Sequence, residues 1–200
     1  MMKREFPDWE KLYQEEEVES MPWFRPTLDD DIAAALEEWK IKPGAVLDNG
    51  TGPGTQAIAL AERGFQVTAT DLSETAIVKA RSRADKAGAK IDFRQDDILK
   101  SRLDGGFDLI CDRGCFHVVS PEERPVYVET VHRLLREEGI LLLKCFSRLE
   151  TREEGPYRFS PEEIRTLFEG RFRILEIRES LFRGNRRPFP KALFSVMRRA

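Results

Sequence analysis

The segment Val46-Leu47-Asp48-Asn49-Gly50-Thr51-Gly52-Pro53-Gly54-Thr55 constrains this chain more than any other. A short apolar run enters a turn with glycine at every second position, and a helical pattern follows. Glycine is needed where the backbone takes a positive φ or where another group must approach closely. A strand, a glycine turn and a helix form the first half of a βαβ unit, the unit from which parallel sheets are built. The turn lacks the GK[ST] ending of a phosphate-binding P-loop. It also departs from the dinucleotide pattern G-x-G-x-x-G/A, because position 55 is threonine. Asp48 stands two residues before the first glycine. A carboxylate there repels a pyrophosphate and suits a ligand with a positive end, such as an amino group or a sulfonium.

The rest of the pattern alternates strand and helix. Ile32, Ala33, Leu36 and Trp39 lie at helical spacing until Pro43-Gly44 breaks the run. Residues 56–63 read as a helix stopped by Gly64, and 65–70 as a strand ending at Asp71. Ser73 caps a helix that Gly88 ends. Residues 91–94, 107–111 and 139–145 read as strands, with a helix over 121–136. Ser160-Pro161-Glu162-Glu163 carries a capping box for a last helix. Residues 172–180 and 192–197 are β-rich with no helix between them, so they pair antiparallel. The expected fold is α/β: a Rossmann-like doubly wound sheet of about seven strands, mostly parallel, with an antiparallel C-terminal strand pair.

Residues 1–28 are acidic and aromatic and read as an N-terminal arm or lid; 29–200 read as a single domain. The chain has 33 basic and 36 acidic residues, a net charge of -3. Without an excess of positive charge to neutralise phosphates, no nucleic-acid partner is expected. No stretch approaches the roughly 20 apolar residues of a membrane span, and Lys144 interrupts the best run. The first residues have no apolar core like that of a secretory signal. Cys111, Cys115 and Cys145 form no CxxC pair, which argues against a disulfide framework and for a cytoplasmic location. A zinc site would need Cys111 and Cys115 to meet a histidine, and no metal is expected.

Acidic residues follow successive strands. Asp71 ends the second, where a carboxylate can accept both hydroxyls of a ribose. Asp96-Asp97-Ile98 follows the third and suits an adenine ring, whose amino group donates while its face packs on Ile98. Cys111-Asp112-Arg113-Gly114-Cys115-Phe116-His117 follows the fourth. All lie at the carboxyl ends of strands, where open α/β sheets bind ligands.

On these motifs the chain resembles the class I S-adenosylmethionine-dependent methyltransferases over about residues 20–198. The resemblance implies S-adenosyl-L-methionine as cofactor. It assigns Asp48, Gly50, Thr51, Gly52 and Gly54 to the nucleotide loop, Asp71 and Leu72 to the ribose, and Asp97 and Ile98 to the adenine. It places Asp112 at the junction of methyl donor and acceptor. Asn49 and Thr51 stand where the family more often has an apolar residue and a cysteine or serine. A narrower resemblance, carried by Pro22-Trp23-Phe24-Arg25-Pro26, residues 112–117, Glu123-Arg124 and Tyr127, is to small methyltransferases near the thiopurine and tellurite-resistance groups. It implies that the arm folds over the cofactor, with Trp23 in contact. The Asp-basic-Gly segment also resembles some protein-lysine methyltransferases.

Methyl transfer from a sulfonium is an in-line displacement in which the protein supplies position and electrostatics. The expected reaction moves a methyl group to a small acceptor, a thiol, metalloid or amine. A protein side chain is the competing substrate, and a binding protein without turnover is the alternative from another class. A base is needed only if the acceptor must lose a proton. His117 is the candidate base, or else a helix-start histidine that bonds only backbone. Arg113 anchors an anionic acceptor, or else pairs with Asp112 or Glu123. Cys115 is not needed in a one-step transfer. His132 reads as a surface or core residue. Arg183, Arg186, Arg187 and Lys191 read as a solvated hairpin or a surface for an acidic partner. The sequence leaves the oligomeric state open.

Overall fold

A computed structural model describes residues 5–200. The strands are β1 (Ala45–Asn49), β2 (Gln66–Asp71), β3 (Asp92–Gln95), β4 (Phe107–Arg113), β5 (Leu135–Ser147), β6 (Arg158–Phe159), β7 (Phe172–Leu181) and β8 (Lys191–Arg199). They form one sheet in the order β3-β2-β1-β4-β5-β8-β7, with the short β6 beside the end of β5. β1, β2, β3, β4 and β5 pair in parallel. β8 pairs antiparallel with both β5 and β7 and so lies between them. This is the expected Rossmann-like doubly wound sheet, and β8 alone runs against its neighbours.

The chain winds outward from β1 to β3 and then returns to β4 on the other side of β1. That reversal opens a crevice beyond the carboxyl ends of β1 and β4. The register sets Asp48 beside Cys111 and Asn49 beside Asp112 at this crevice.

Side chains alternate between the two faces of each strand. Val46, Leu109, Leu142 and Phe194 pack under helices α2 (Asp30–Glu38), α3 (Thr55–Ala61) and α4 (Glu74–Ala87). Leu47, Ile110, Leu141 and Leu143 pack under α5 (Arg124–Leu134) and α6 (Pro161–Phe168). The expected caps form. The Ser73 side chain accepts from the Ala76 amide, Gly88 is left-handed, and Ser160 with Glu163 makes the capping box.

The largest boundary differences from the sequence reading lie at the start of α5 and the start of β5. α5 begins three residues later than expected and gives way to β5 at Leu135, not at Gly139. Leu135 already pairs with Phe107. The strand then passes a kink in which Glu138 has φ 60°. The sequence pattern carries the helix to Arg136, because the charged stretch Arg136-Glu137-Glu138 has no strand-like alternation.

The arm packs against the rest of the chain. Its helix α1 (Trp9–Glu15) docks on the start of α4, where the Glu10 carboxylate accepts from Ser73 Oγ (2.7 Å) and from the Thr75 amide (3.1 Å). Beyond it, Arg83 pairs with Glu19 and lies over the Phe24 ring. From the β7–β8 loop, the Asn185 side chain donates to the carbonyls of Glu19 and Met21, and its amide to that of Pro22.

Candidate functional site

The glycine turn leaves β1 with positive φ at Gly50 (67°), Gly52 (51°) and Gly54 (78°), where a side chain would be strained. A Cβ at Gly50 would come within 2.9 Å of Cys115 Cβ, and one at Gly54 within 2.8 Å of Ala80 Cβ. Hydrogen bonds set the shape of the turn. The Thr51 amide donates to the Thr70 carbonyl (2.8 Å), and Thr51 Oγ1 to Asp48 Oδ2 (2.6 Å). Asp71 joins the turn to α4, accepting from the amides of Gly52 (2.8 Å) and Ser73 (3.0 Å).

Asp112 is fully buried. It accepts from the amides of Gly114, Cys115 and Phe116, from Asn49 Nδ2 (3.0 Å) and from the Tyr127 hydroxyl (2.6 Å). Its carboxylate thus shapes the loop after β4, and both of its oxygens are engaged within the protein. Asp97 caps a short 3-10 turn through the Leu99 amide (3.0 Å), beside the buried Ile98. The Leu72 side chain is exposed, and Trp23 is half-buried against Trp9.

Asp48, Asp71 and Asp112 form no ion pair among the described residues, and their partners are neutral donors. Burial, aided by the charges of Asp112 and Asp71, lifts the Asp48 carboxyl to about 7. Burial also raises Asp71 and Asp112, against the hydrogen bonds they receive. A cationic group placed here would find counterions with none of their own. The donor set and the positive-φ turn fit a cationic nucleoside such as S-adenosylmethionine.

Arg113 does not pair with Asp112 or Glu123. Its Nε donates to Asp29 (2.7 Å), and its other nitrogens donate to the carbonyls of Trp23 and Arg183 (both 3.1 Å). It thus ties the arm and the β7–β8 loop to the start of α2. Lys144, almost fully buried on β5, reaches both oxygens of Asp29 (2.7 and 2.9 Å) and also Asp31 (2.6 Å). Burial pushes the Asp29 carboxyl up, but Lys144 and Arg113 outweigh it and hold it at about 2. Arg178 and Ser180 of β7 complete the cluster on Asp31.

His117 sits in a 3-10 turn, Phe116–Val118, not at a helix start. Its ring lies edge-on to Phe146 (5.0 Å between centroids) and tilted against Phe182 (5.5 Å). Its Nδ1 is buried and has no hydrogen-bond partner among the described residues. Burial, with help from Arg113, pushes the imidazole down to about 3. Burial holds the thiols of Cys111 and Cys115 well above their ordinary value. His132 is half-buried against Phe172. Arg183 and Arg187 lie over the Phe189 ring in the β7–β8 loop, and Arg183 also pairs with Asp30. Among the described residues, no group of three or more His, Cys, Asp and Glu could hold a metal ion, and no helix is long and apolar enough to cross a membrane.

The sequence reading missed several groups around these sites. Tyr13 is buried, with its hydroxyl 2.6 Å from where a Gly52 Cβ would stand, and nothing in the local pattern marked it. The Asp29–Lys144 pair did leave a signal, a lysine inside an apolar strand. An open groove of about 380 Å³ is lined by Phe24 and Pro26 of the arm, Thr55 and Ile58 of α3, and Arg83 and Lys86 of α4.

Residues 46–139 match the family model of a methyltransferase domain. An uncharacterized methyltransferase of Schizosaccharomyces pombe is 30% identical over 120 residues, 58% of this chain and 83% of the relative. Thiocyanate methyltransferase 1 of Arabidopsis thaliana is 27% identical over 152 residues, 75% of this chain and 66% of that protein. Among solved structures, a protein from the conversion of a disulfide bond into a thioacetal group in echinomycin biosynthesis is 28% identical. It superposes with a TM-score of 0.82 over 96% of this chain and 90% of its own.

Proposed function

The chain belongs to the class I S-adenosylmethionine-dependent methyltransferases, and from that premise we propose that it methylates a sulfur atom of a small acceptor. The observation that carries this reading is the state of His117. It is the titratable side chain of the aromatic wall beyond β4, and its low basicity makes it a poor base for an amine or hydroxyl. A sulfur acceptor that attacks as its thiolate needs no base. The thiocyanate methyltransferase and the thioacetal-forming protein both act on sulfur compounds, which supports the choice.

When bound, S-adenosylmethionine supplies an electrophilic methyl group on a sulfonium. The side chains on either side of it do the rest. The Gly50-Thr51-Gly52 turn with Asp48, and Gly54 at the start of α3, hold the nucleoside. Asp71 and Leu72 meet its ribose, and Asp97 and Ile98 its adenine. Asp112 fixes the loop that carries Arg113 and His117 to the methyl group. Residues 1–28 act as a lid, with Trp23 on the cofactor and Arg113 holding the Trp23 carbonyl. Fixing donor and acceptor in line contributes up to roughly 7–11 kcal/mol to such a reaction.

The test is transfer from radiolabelled S-adenosylmethionine to matched sets of small thiols, amines and tellurite. Labelled thioether is the expected product, and faster labelling of amines or tellurite overturns the reading. Asp71→Ala is expected to weaken cofactor binding more than tenfold by calorimetry, because the ribose hydroxyls lose a charged acceptor. An unchanged affinity contradicts that assignment.

A further inference from the structure

Backbone carbonyls in a segment without helix or strand need partners from elsewhere in the fold. The arm contains such a segment, since from Met21 to α2 it is neither helix nor strand. Four carbonyls at its start, from Glu19 to Trp23, are taken by groups on the acceptor side of the crevice. Asn185, in the β7–β8 loop, donates through Nδ2 to the carbonyls of Glu19 (2.6 Å) and Met21 (3.0 Å). Its backbone amide donates to that of Pro22 (3.0 Å). Arg113, in the strand β4, donates through Nη1 to that of Trp23 (3.1 Å).

The same contacts hold the loop. Arg113 Nη2 donates to the Arg183 carbonyl (3.1 Å) while Nε pairs with Asp29 (2.7 Å), so one guanidinium joins arm, loop and α2. Asp30 makes a second bridge, pairing with Arg25 of the arm (2.6 Å) and Arg183 of the loop (3.1 Å). Gly184 lets the two backbones meet. A Cβ there would overlap the Pro22 carbonyl oxygen and stand 3.1 Å from Trp23 Cα. The root of the loop is fixed as well, since the Phe182 amide donates to the Pro190 carbonyl (2.9 Å) and its ring lies against Arg113 and Lys144. The loop therefore grips the path of the arm's backbone, whatever side chains the arm carries.

We propose that the β7–β8 loop is the latch of the arm, with Asn185 as its positioning residue, so that the arm and the loop open and close as one body. This goes beyond the reading of residues 1–28 as a lid and rests on it. A nucleoside seated under Trp23 holds the arm, and the arm holds the loop beside the acceptor. The acceptor side is thus completed only after the cofactor is in place. No residue of the loop is assigned to the cofactor, so the effect passes through the four carbonyls. Coupling of this kind is reciprocal, and whatever steadies the loop also slows release of the nucleoside.

The experiment follows amide hydrogen exchange of the full chain by mass spectrometry, with and without saturating S-adenosylhomocysteine. It compares the arm (residues 18–25) with the loop (residues 183–187). In the wild type the nucleoside is expected to slow exchange in both segments, by about tenfold or more. In Asn185→Ala without ligand, both segments should exchange about tenfold faster, because two side-chain hydrogen bonds are lost. With ligand, that variant should regain protection in the arm but not in the loop. Gly184→Ala, which wedges the loop off Pro22 without removing a hydrogen-bonding group, should uncouple the segments in the same way. Arg186→Ala, an exposed neighbour on the same loop, should behave as wild type. Ligand protection confined to the arm in the wild type, or loop protection that survives in both Asn185→Ala and Gly184→Ala, overturns the latch and leaves the lid standing. Exchange that the nucleoside changes in neither segment, with both still quickened by Asn185→Ala, keeps the latch and overturns the lid reading instead.

Discussion

Replacing Lys144 by methionine tests the buried charge cluster directly. Methionine matches the length and apolar stem of lysine, so packing changes little and the perturbation is the charge. Lys144 makes three close contacts, two with Asp29 and one with Asp31, and all three side chains are at most 9% exposed. Removing one member of a buried ion pair destabilises by about 3–5 kcal/mol, because the opposite charge is left uncompensated. Here each carboxylate keeps another cation, Arg113 on Asp29 and Arg178 on Asp31. The lower end of the range therefore applies, about 3 kcal/mol. For a chain of this size each kcal/mol moves the melting temperature by about 2–4 °C, so the loss should be about 6–12 °C at pH 7.

The loss has a definite pH dependence. The Asp29 carboxyl is depressed from its ordinary 3.8 to about 2. A depressed acid contributes stability above its unfolded value, and the contribution fades as pH falls through the folded value. Without Lys144 that depression shrinks. The gap between wild type and variant should therefore be full at pH 7 and narrow as pH drops from 4 towards 2. Circular dichroism melts at pH 7 and pH 3 decide the matter. A loss below 3 °C at pH 7, or an equal loss at both pH values, would refute the reasoning.

Asp48→Asn probes the raised carboxyl beneath the glycine turn. In the wild type the buried group is neutral below its folded value of about 7, and stability falls as pH rises through that value. The variant should therefore gain roughly 5 °C on wild type between pH 6 and pH 8, while losing the rise in S-adenosylmethionine affinity that calorimetry should show for wild type over the same interval. Gly54→Ala combines a left-handed backbone with contact on Ala80, whereas Gly88→Ala is left-handed with open space around it. Urea unfolding should find the first at least about 1 kcal/mol more costly than the second, by the overpacking; equal losses would remove the contact from the account. Deleting residues 1–26 should weaken cofactor binding about tenfold while the remaining chain keeps a cooperative thermal melt, and normal binding in the truncated chain would exclude a lid.

Local chemistry made much of the fold legible. Glycine at alternate positions after an apolar strand, Ser73 and Gly88 at the two ends of one helix, and the Ser160–Glu163 box are all short-range signals. Each appears in the structure where its residues stand. The antiparallel end pair followed from the missing crossover. The start of β5 did not show, because Leu135 joins the sheet by pairing with Phe107, a contact between residues far apart in the chain. The site divides in the same way. Asp48 and Asp71 were visible because strand ends are predictable places. The partners of Arg113 were not, because Asp29, Trp23 and Arg183 lie 70 to 90 residues away from it. Asp112 was visible as a position, but its work on the loop depends on Asn49 and Tyr127, which only the folded sheet brings to it.

The two groups of buried acids are handled in opposite ways, and the contrast accounts for the division of labour at the crevice. Asp29 and Asp31 are met by Lys144, Arg113 and Arg178, and Arg178 is shared with Glu176, so this cluster carries little net charge. Asp48, Asp71 and Asp112 are met by amides, hydroxyls and a carboxamide, which satisfy hydrogen bonding without cancelling charge. In a poorly screened interior that difference persists over several ångströms. One side of the crevice is therefore negative and draws a cation, and the other is apolar and balanced. A cationic methyl donor gains from the first side. Once the methyl group has gone, the donor is a neutral sulfide and that gain is lost, so the same field that binds the reactant weakens the hold on the product.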